Sequence, residues 1–158
     1  MIRVGQGFDF HPAAPGRRLV LGGVEVAHET GLAGHSDADV AAHALANAIL
    51  GALGEGDLGR RFPDTDPRFK DADSLALLAE VAAMAAQRKM RLVNADLTII
   101  AQRPRLAPLL ETMRAKLAKA VGVEPALLNV KASSPEAMGA LGRGEGMAAS
   151  AVVLLEAC

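Results

Sequence analysis

Residues 36–54 read SDADVAAHALANAILGALG, and this stretch anchors the predicted fold. It is rich in alanine and leucine, which favour helix, and Ser36 is a good N-cap with Asp39 three residues later. Gly54 suits the position that follows a helix C-terminus. The stretch therefore predicts a helix over residues 37–53.

Strands and further helices are predicted on both sides of this helix. Gly22 and Gly23 make a two-residue turn that favours a β-hairpin between short β-branched segments. In the first predicted strand, Gly5 and Gly7 favour a bulge or a close approach of another backbone. The predicted strands are Ile2–Phe10, Arg18–Leu21, Val24–Val26, Leu92–Gln102, Leu128–Ser133 and Met147–Glu156, and the other predicted helices are Asp73–Lys89 and Leu106–Val121.

The order of these elements predicts an α/β (α+β) fold. We expect a two-layer sandwich, with helices on one face of a mixed β-sheet, plus a small β-hairpin. The chain has 158 residues, so we expect a single domain, 1–158. Residues 54–72 are dense in Gly, Pro and Asp and show no amphipathic period, which is typical of a lid or a binding loop.

Composition argues against several classes of protein. No apolar run approaches the roughly 20 residues of a membrane span, and the start of the chain lacks a secretory signal, so we expect a cytoplasmic protein with no membrane partner. The only cysteine is Cys158, which rules out an intrachain disulfide and a cysteine-based zinc site. A net charge of −1 and the absence of Trp and Tyr argue against nucleic acid as a partner.

Three residues have the types and the spacing of metal ligands. Asp9 and His11 are two apart in strand-like sequence at the end of the first predicted strand, so both side chains leave the same face. His43 lies in the predicted helix and can project toward the end of that strand. Three protein ligands and an open fourth position are typical of catalytic zinc. On spacing alone, an incidental pair remains the alternative, because D-x-H is common in proteins.

Three other features allow both a functional and a structural interpretation. Asp39 is either an acceptor for an imidazole N–H or an acid favoured by the helix dipole. His35 and Ser36 lie at the predicted helix start, where an anion such as phosphate binds, yet Ser36 is also explained as a cap alone. Arg143 lies in the glycine-rich segment 142–146, which fits either phosphate contact or a tight turn.

An ordered set of motifs along nearly the whole chain resembles one family. These motifs are GQGFDFH at 5–11, GHSDADVAAH at 34–43, GDLG at 56–59, FPDTDP at 62–67, TIIAQ at 98–102, NVKA at 129–132 and GRGEG at 142–146. By these motifs the chain resembles the 2-C-methyl-D-erythritol 2,4-cyclodiphosphate synthase family of the non-mevalonate (MEP) isoprenoid pathway.

The resemblance implies a phosphorus–oxygen lyase and its metals. The implied substrate is 4-diphosphocytidyl-2-C-methyl-D-erythritol 2-phosphate, whose 2-phosphate attacks the β-phosphorus, so that the cyclodiphosphate forms and CMP leaves. Asp9, His11 and His43 would bind Zn²⁺, which orients and polarises phosphate. Glu136 would bind a second divalent cation, Mg²⁺ or Mn²⁺. The implied assembly is a homotrimer with active sites between subunits.

The resemblance also implies roles for further residues. His35 and Ser134 are the implied catalytic pair, which stabilises the transition state. A flexible loop, 62–66, would cover the methylerythritol moiety, residues 101–107 would form a cytidine pocket, and Arg143 would line a central cavity of the trimer. The implied substrate-binding set is Asp9, His11, His35, Ser36, Asp57, Leu58, Gly59, Phe62, Pro63, Asp64, Thr65, Asp66, Ala101, Gln102, Arg103, Pro104, Arg105, Leu106, Ala107, Ser133, Ser134, Pro135, Glu136, Ala140 and Arg143.

The chain departs from the commonest family pattern at several positions. Ser133 and Ser134 stand where Thr is usual, and because Ser also donates through its hydroxyl we expect catalysis to survive. Gln6 replaces a frequent His, and Pro135 interrupts a third hydroxyl position. Ala140 occupies a site that often carries Phe, which leaves open whether the central cavity binds isoprenoid diphosphates.

Two other functions remain open alongside the cyclase. A zinc phosphohydrolase would use the same ligands to activate water and would release linear phosphates. A trimeric binding protein would sense isoprenoid diphosphate without turnover.

Overall fold

A computed structural model describes all 158 residues of the chain. Its strands are β1 (Ile2–Pro15), β2 (Leu19–Leu21), β3 (Val24–Val26), β4 (Thr30–Leu32), β5 (Met90–Ile100), β6 (Leu128–Ser133) and β7 (Gly146–Ala157). Its α-helices are α1 (Val40–Leu53), α2 (Leu58–Arg61), α3 (Ser74–Gln87), α4 (Leu110–Val121) and α5 (Gly139–Gly142). Short 3-10 helices lie at Pro67–Phe69, Ala107–Leu109 and Pro125–Leu127.

The two-layer architecture predicted from the sequence is confirmed. Five strands form one mixed sheet in the order β4-β1-β7-β5-β6, in which only β5 and β6 are parallel neighbours. Strands β2 and β3 form the separate hairpin predicted around Gly22 and Gly23. Both glycines have positive φ, 56° and 71°, as a tight two-residue hairpin turn requires.

Helix α1 lies directly on strand β1 because two glycines remove the side chains between them. A Cβ at Gly5 or at Gly7 would overlap backbone atoms of α1, so the predicted close approach is confirmed. Strand β1 pairs with β7 in unbroken register through both glycines, so there is no bulge here. Since β1 carries Asp9 and α1 carries His43, the close packing brings these two side chains together.

The predicted start of α1 is wrong. The helix begins at Val40, and its N-cap is Asp39, not Ser36. The Asp39 carboxylate accepts two hydrogen bonds of 3.1 Å from the first turn of α1. It also accepts hydrogen bonds from the backbone N–H groups of Gly22 (2.9 Å) and Gly23 (2.7 Å). Asp39 therefore joins the hairpin turn to α1, and Ser36 lies in the loop before the helix.

Other boundaries differ where short elements leave little pattern in the sequence. Strand β1 continues beyond Phe10 to Pro15, because its last residues pair with β4, which is too short to show a strand period. The segment 54–72 contains α2 and a 3-10 turn, which are capped by Asp57 and Asp66. Helix α4 begins four residues after the predicted start, following a proline-containing 3-10 turn.

The two faces of the large sheet differ in their surroundings. One face packs with helices α1, α3 and α4 into one hydrophobic core. On the other face, Ile2, Val4, Phe8 and Phe10 alternate along β1 and are 50–68% exposed, and Val152 of β7 is 45% exposed. We call these five residues the outer sheet face. None of the helices combines the length and the apolar character needed to cross a membrane.

Candidate metal centre

Asp9, His11 and His43 meet as the sequence predicts. Asp9 Oδ2 lies 2.9 Å from His11 Nε2 and 3.0 Å from His43 Nδ1, and the two ring nitrogens are 3.2 Å apart. One potential ligand atom from each residue therefore faces the same point. Ligands about 2.0–2.1 Å from a tetrahedral zinc ion are themselves roughly 3.3 Å apart, so the spacing fits one divalent ion.

In each imidazole, the ring nitrogen that does not face the cluster has a hydrogen-bond partner of its own. His11 Nδ1 lies 2.6 Å from the carbonyl oxygen of Ala33, which can only accept, so Nδ1 carries the proton and Nε2 is left for a metal. His43 Nε2 lies 2.8 Å from Ser74 Oγ, and its Nδ1 faces the cluster. Both rings therefore present a nitrogen to the site without rearrangement.

The charges of the cluster reinforce one another. Burial alone would raise the pKa of Asp9, but its hydrogen bonds with His11 and His43 and the attraction of their charges outweigh burial and lower that pKa. Burial alone would lower the pKa of His11, but the hydrogen bond and the charge of Asp9 outweigh burial and raise it. The carboxylate is thus kept ionised, as a metal ligand must be.

A cavity of about 400 Å³ opens beside the three candidate ligands. Its volume lies within the range of small-molecule sites. It gathers residues from β1, α1 and the 54–72 segment that are far apart in sequence. Of the predicted site residues it is lined by Asp9, His11, His35, Ser36, His43, Leu58, Gly59, Phe62 and Asp64.

His35 connects the cavity to the loop that covers it. His35 Nε2 donates a hydrogen bond to the carbonyl oxygen of Asp66 (2.9 Å), and the His35 carbonyl oxygen accepts one from Asp71 N (2.8 Å). Within the loop, the rings of Phe62 and Phe69 pack edge to face with centroids 5.1 Å apart. The implied catalytic histidine is therefore also the anchor of the loop.

Asn47 is a cavity residue that the sequence interpretation missed. Its Oδ1 accepts a hydrogen bond from the backbone N–H of Leu58 (2.8 Å), which ties α2 to α1. It lies one helical turn after His43, so the i, i+4 spacing was the available signal.

The predicted segments 101–107 and 133–136 do not line this cavity. The first of them directly follows Ile100, which pairs with Ala148, and Ala148 also pairs with Phe10 on the opposite side. These segments therefore lie at the metal end of the sheet, but two strands away, which is roughly 10 Å.

A second cavity, of about 470 Å³, lies near those segments and is lined by Gln102 and Arg143 among others. Arg143 Nε is 2.5 Å from Glu145 Oε1 in an exposed pair. Ser134 Oγ accepts a hydrogen bond of 3.0 Å from Glu136 N, and Glu136 has a φ of 53°. Glu136 belongs to no group of three potential metal ligands within the chain.

Comparison with known proteins identifies close relatives along the whole chain. The model of the YgbB family matches residues 2–156. A 2-C-methyl-D-erythritol 2,4-cyclodiphosphate synthase of Geobacillus kaustophilus is 61% identical over 156 residues, 99% of each chain. A bifunctional IspD/IspF enzyme of Anaeromyxobacter dehalogenans is 60% identical, and the alignment covers 98% of this chain but 40% of that longer protein.

Comparison with solved structures identifies the same kind of relative. The bifunctional IspDF of Campylobacter jejuni superimposes with a TM-score of 0.96 at 40% identity, covering 100% of this chain and 43% of that one. A 2-C-methyl-D-erythritol-2,4-cyclodiphosphate synthase in a CDP-bound form has a TM-score of 0.89 at 34% identity, covering 98% of this chain and 100% of that one. The resemblance predicted from the motifs is confirmed: the chain belongs to the YgbB family, together with the 2-C-methyl-D-erythritol 2,4-cyclodiphosphate synthases.

Proposed function

We propose that this protein, as one synthase domain over residues 1–158, converts 4-diphosphocytidyl-2-C-methyl-D-erythritol 2-phosphate to 2-C-methyl-D-erythritol 2,4-cyclodiphosphate and CMP. One observation carries the proposal. Asp9, His11 and His43 converge beside a cavity in a chain that is 61% identical, from end to end, to a synthase of that name.

The reaction is an internal phosphoryl transfer. An oxygen of the 2-phosphate forms a bond to the β-phosphorus, the bond from that phosphorus to the oxygen shared with the CMP phosphate breaks, and CMP leaves with that oxygen. Zinc held by Asp9, His11 and His43, with magnesium or manganese at Glu136, would neutralise the phosphates and polarise the phosphorus under attack. Positioning and charge neutralisation are what such a transfer chiefly needs.

The cavity residues would orient the reacting groups. His35 and Ser36 lie beside the three ligands and offer an imidazole N–H and a hydroxyl to phosphate oxygens. The His35 N–H now donates to the carbonyl oxygen of Asp66, so a phosphate oxygen would take the place of that carbonyl. Gly59 and Phe62 line the side of the cavity formed by the loop and are proposed to enclose the methylerythritol moiety.

The cytidine end of the substrate is assigned to residues 101–107 and Ser133, with Ser134 and Glu136 beside them. The CDP-bound relative supports a CDP-linked ligand. Because these segments do not line the metal cavity of their own chain, a complete site is proposed to combine them with the metal cavity of a neighbouring subunit.

The outer sheet face supports the proposed homotrimer. Its apolar side chains, Ile2, Val4, Phe8, Phe10 and Val152, form a stripe across two paired strands and are not covered by any helix of the chain. A contiguous apolar surface of this kind marks an interaction site. Burial of this face between three chains would also place segments of one chain near the metal ligands of the next.

Phosphorus NMR of the purified protein with its proposed substrate, alongside elemental analysis, tests the function. The proposal predicts zinc in the protein, a cyclic diphosphate and CMP in equal amounts, and loss of both zinc and turnover in His43→Ala. Linear phosphates with CMP would instead establish a phosphohydrolase. An inert protein that binds isoprenoid diphosphate would establish the binding protein.

A further inference from the structure

Two residues support His43 on the side of its ring that faces away from Asp9 and His11. They belong to neither the cavity lining nor the predicted site. Ser74, the first residue of α3, places Oγ 2.8 Å from His43 Nε2. Ser74 Oγ also hydrogen bonds to Asp37 Oδ1, and Ser74 N donates to Asp37 Oδ2 at 3.1 Å. His43 is 7% exposed and Ser74 is 1% exposed, so the hydrogen bond between these two residues is shielded from water, while Asp37 is partly exposed.

The chemistry of the three groups gives the direction of every hydrogen bond. An ionised carboxylate can only accept, so the Ser74 hydroxyl donates its proton to Asp37. Ser74 Oγ is then left as an acceptor for the proton on His43 Nε2. A neutral imidazole carries one proton, so Nδ1, which faces Asp9 and His11, keeps a lone pair for the metal.

We infer that Ser74 and Asp37 are positioning residues that fix the ring orientation and the tautomer of His43 for metal binding. A carboxylate that acts on a ligating imidazole through a hydrogen bond also makes that imidazole a stronger ligand. For His11 the carbonyl oxygen of Ala33 has the corresponding role. The orientation of each imidazole is therefore fixed by a separate hydrogen bond. The inference rests on the metal site of the proposed function.

Ser36 is the other hydroxyl near His43, and it is the weaker partner. Its Oγ lies 3.2 Å from His43 Nε2, against 2.8 Å for Ser74. Ser36 Oγ also accepts a hydrogen bond of 3.2 Å from Ala38 N, and it has no carboxylate partner. Ser74, which is hydrogen bonded to Asp37, is therefore the main hydrogen-bond partner of His43 Nε2.

Zinc affinity of the metal-free protein, measured by competition with a chromophoric chelator, tests the inference without any turnover. We expect Ser74→Ala to weaken zinc binding about 10–100-fold, the usual effect of removing such a supporting group. Ser74→Thr retains the hydroxyl and should restore most of the affinity. Asp37→Asn keeps the shape but loses the charge, and should weaken binding less than Ser74→Ala does.

Asp73→Ala is the matched control, because Asp73 caps the same helix through Leu75 N and does not contact His43. It should lower the melting temperature while zinc affinity stays at the wild-type value. Wild-type affinity in folded Ser74→Ala, or equal weakening in Asp73→Ala, would overturn the inference. If Ser74→Ala does not fold, the zinc affinity of Asp37→Asn tests the inference instead. A wild-type zinc affinity in that variant would overturn the inference. Failure of the proposed function is a separate result: zinc bound by the wild type without any cyclic product.

Discussion

The backbone of Gly7 lies against the backbone of Ala44, and no side chain separates them. A Cβ at Gly7 would overlap the carbonyl oxygen of Ala44. Asp9 follows Gly7 by two residues on β1, and His43 precedes Ala44 on α1, so the distance between two candidate metal ligands depends on this contact. The geometry of the candidate metal centre therefore depends on a glycine whose side chain takes no part in it.

Gly7→Ala should destabilise the protein strongly and weaken zinc binding together. The added methyl group must push α1 away from β1, and such overpacking costs about 1–3 kcal/mol or more. Chemical denaturation measures the stability, and chelator competition measures the zinc affinity.

Gly51→Ala provides the matched control for Gly7→Ala. Gly51 lies on the same helix, and its added Cβ would meet Gln6 O at 3.4 Å, an ordinary contact. Replacing a glycine inside a helix by alanine should stabilise by roughly 0.5–1 kcal/mol. Equal effects of the two substitutions would show that the close approach at Gly7 does not matter.

Asp39→Ala should cost more stability than the loss of an ordinary helix cap. Asp39 is fully buried and accepts four backbone hydrogen bonds, two of them from the hairpin turn at Gly22 and Gly23. Removing the carboxylate leaves buried N–H groups without partners, so we expect a loss of about 2–4 kcal/mol in the free energy of unfolding. Asp73→Ala removes a cap that accepts only one hydrogen bond, and it should lower the free energy of unfolding by about 1 kcal/mol. Equal losses in the two variants would contradict the structural role assigned to Asp39.

Local periodicity is enough to place the three candidate metal ligands on the correct strand and helix, and the family resemblance supplies the rest of that prediction. Asp9 and His11 alternate on a strand, and His43 lies in a helix whose composition is unambiguous. The cap of that helix is mispredicted, since Ser36 and Asp39 are both good cap residues. The choice depends on hydrogen bonds from Gly22 and Gly23, which no local pattern reveals.

Contacts between distant segments account for what the sequence does not predict. Ser74 and His43 are separated by 31 positions and meet only when α1 and α3 pack. The cytidine-pocket residues are predicted by resemblance alone, and within one chain they stay outside the metal cavity. Such residues become a site only through tertiary packing or through a second subunit.

In the metal-free protein, the interaction between Asp9 and His11 should stabilise the folded state within a defined range of pH. The pKa of His11 is raised in the folded state, so its contribution to stability is complete below about pH 6.5 and is lost as the pH rises through the folded-state pKa. The pKa of Asp9 is lowered, so its contribution is present above about pH 4 and is lost as the pH falls through the lower folded-state pKa. The pair therefore stabilises most between about pH 4 and about pH 6.5.

Melting temperatures of wild type and Asp9→Asn, recorded in chelator across this range, measure the window. The difference between the two proteins should be largest inside it and should shrink on both sides. A difference that does not vary with pH, or that grows above about pH 8, would contradict the assigned shifts.

Val152→Glu should separate the subunits of the proposed homotrimer. Val152 lies in the outer sheet face, where a buried carboxylate without a partner is costly. Light scattering after size-exclusion chromatography should give the mass of three chains for wild type and of one chain for the variant. Ala115→Glu adds the same charge to the exposed side of α4 and should leave the mass unchanged. A wild-type monomer, or a variant that keeps the mass of three chains, would show that this face is not the interface.

The most direct test of the central claim is phosphorus NMR of the cyclisation with metal-stripped protein, to which zinc is returned in steps. Asp9, His11 and His43 converge on one candidate metal site, so we predict no cyclic diphosphate without metal and a rise in product until one zinc is bound per chain. Cyclisation at the full rate in the stripped protein would contradict the account, as would linear phosphates as the only products.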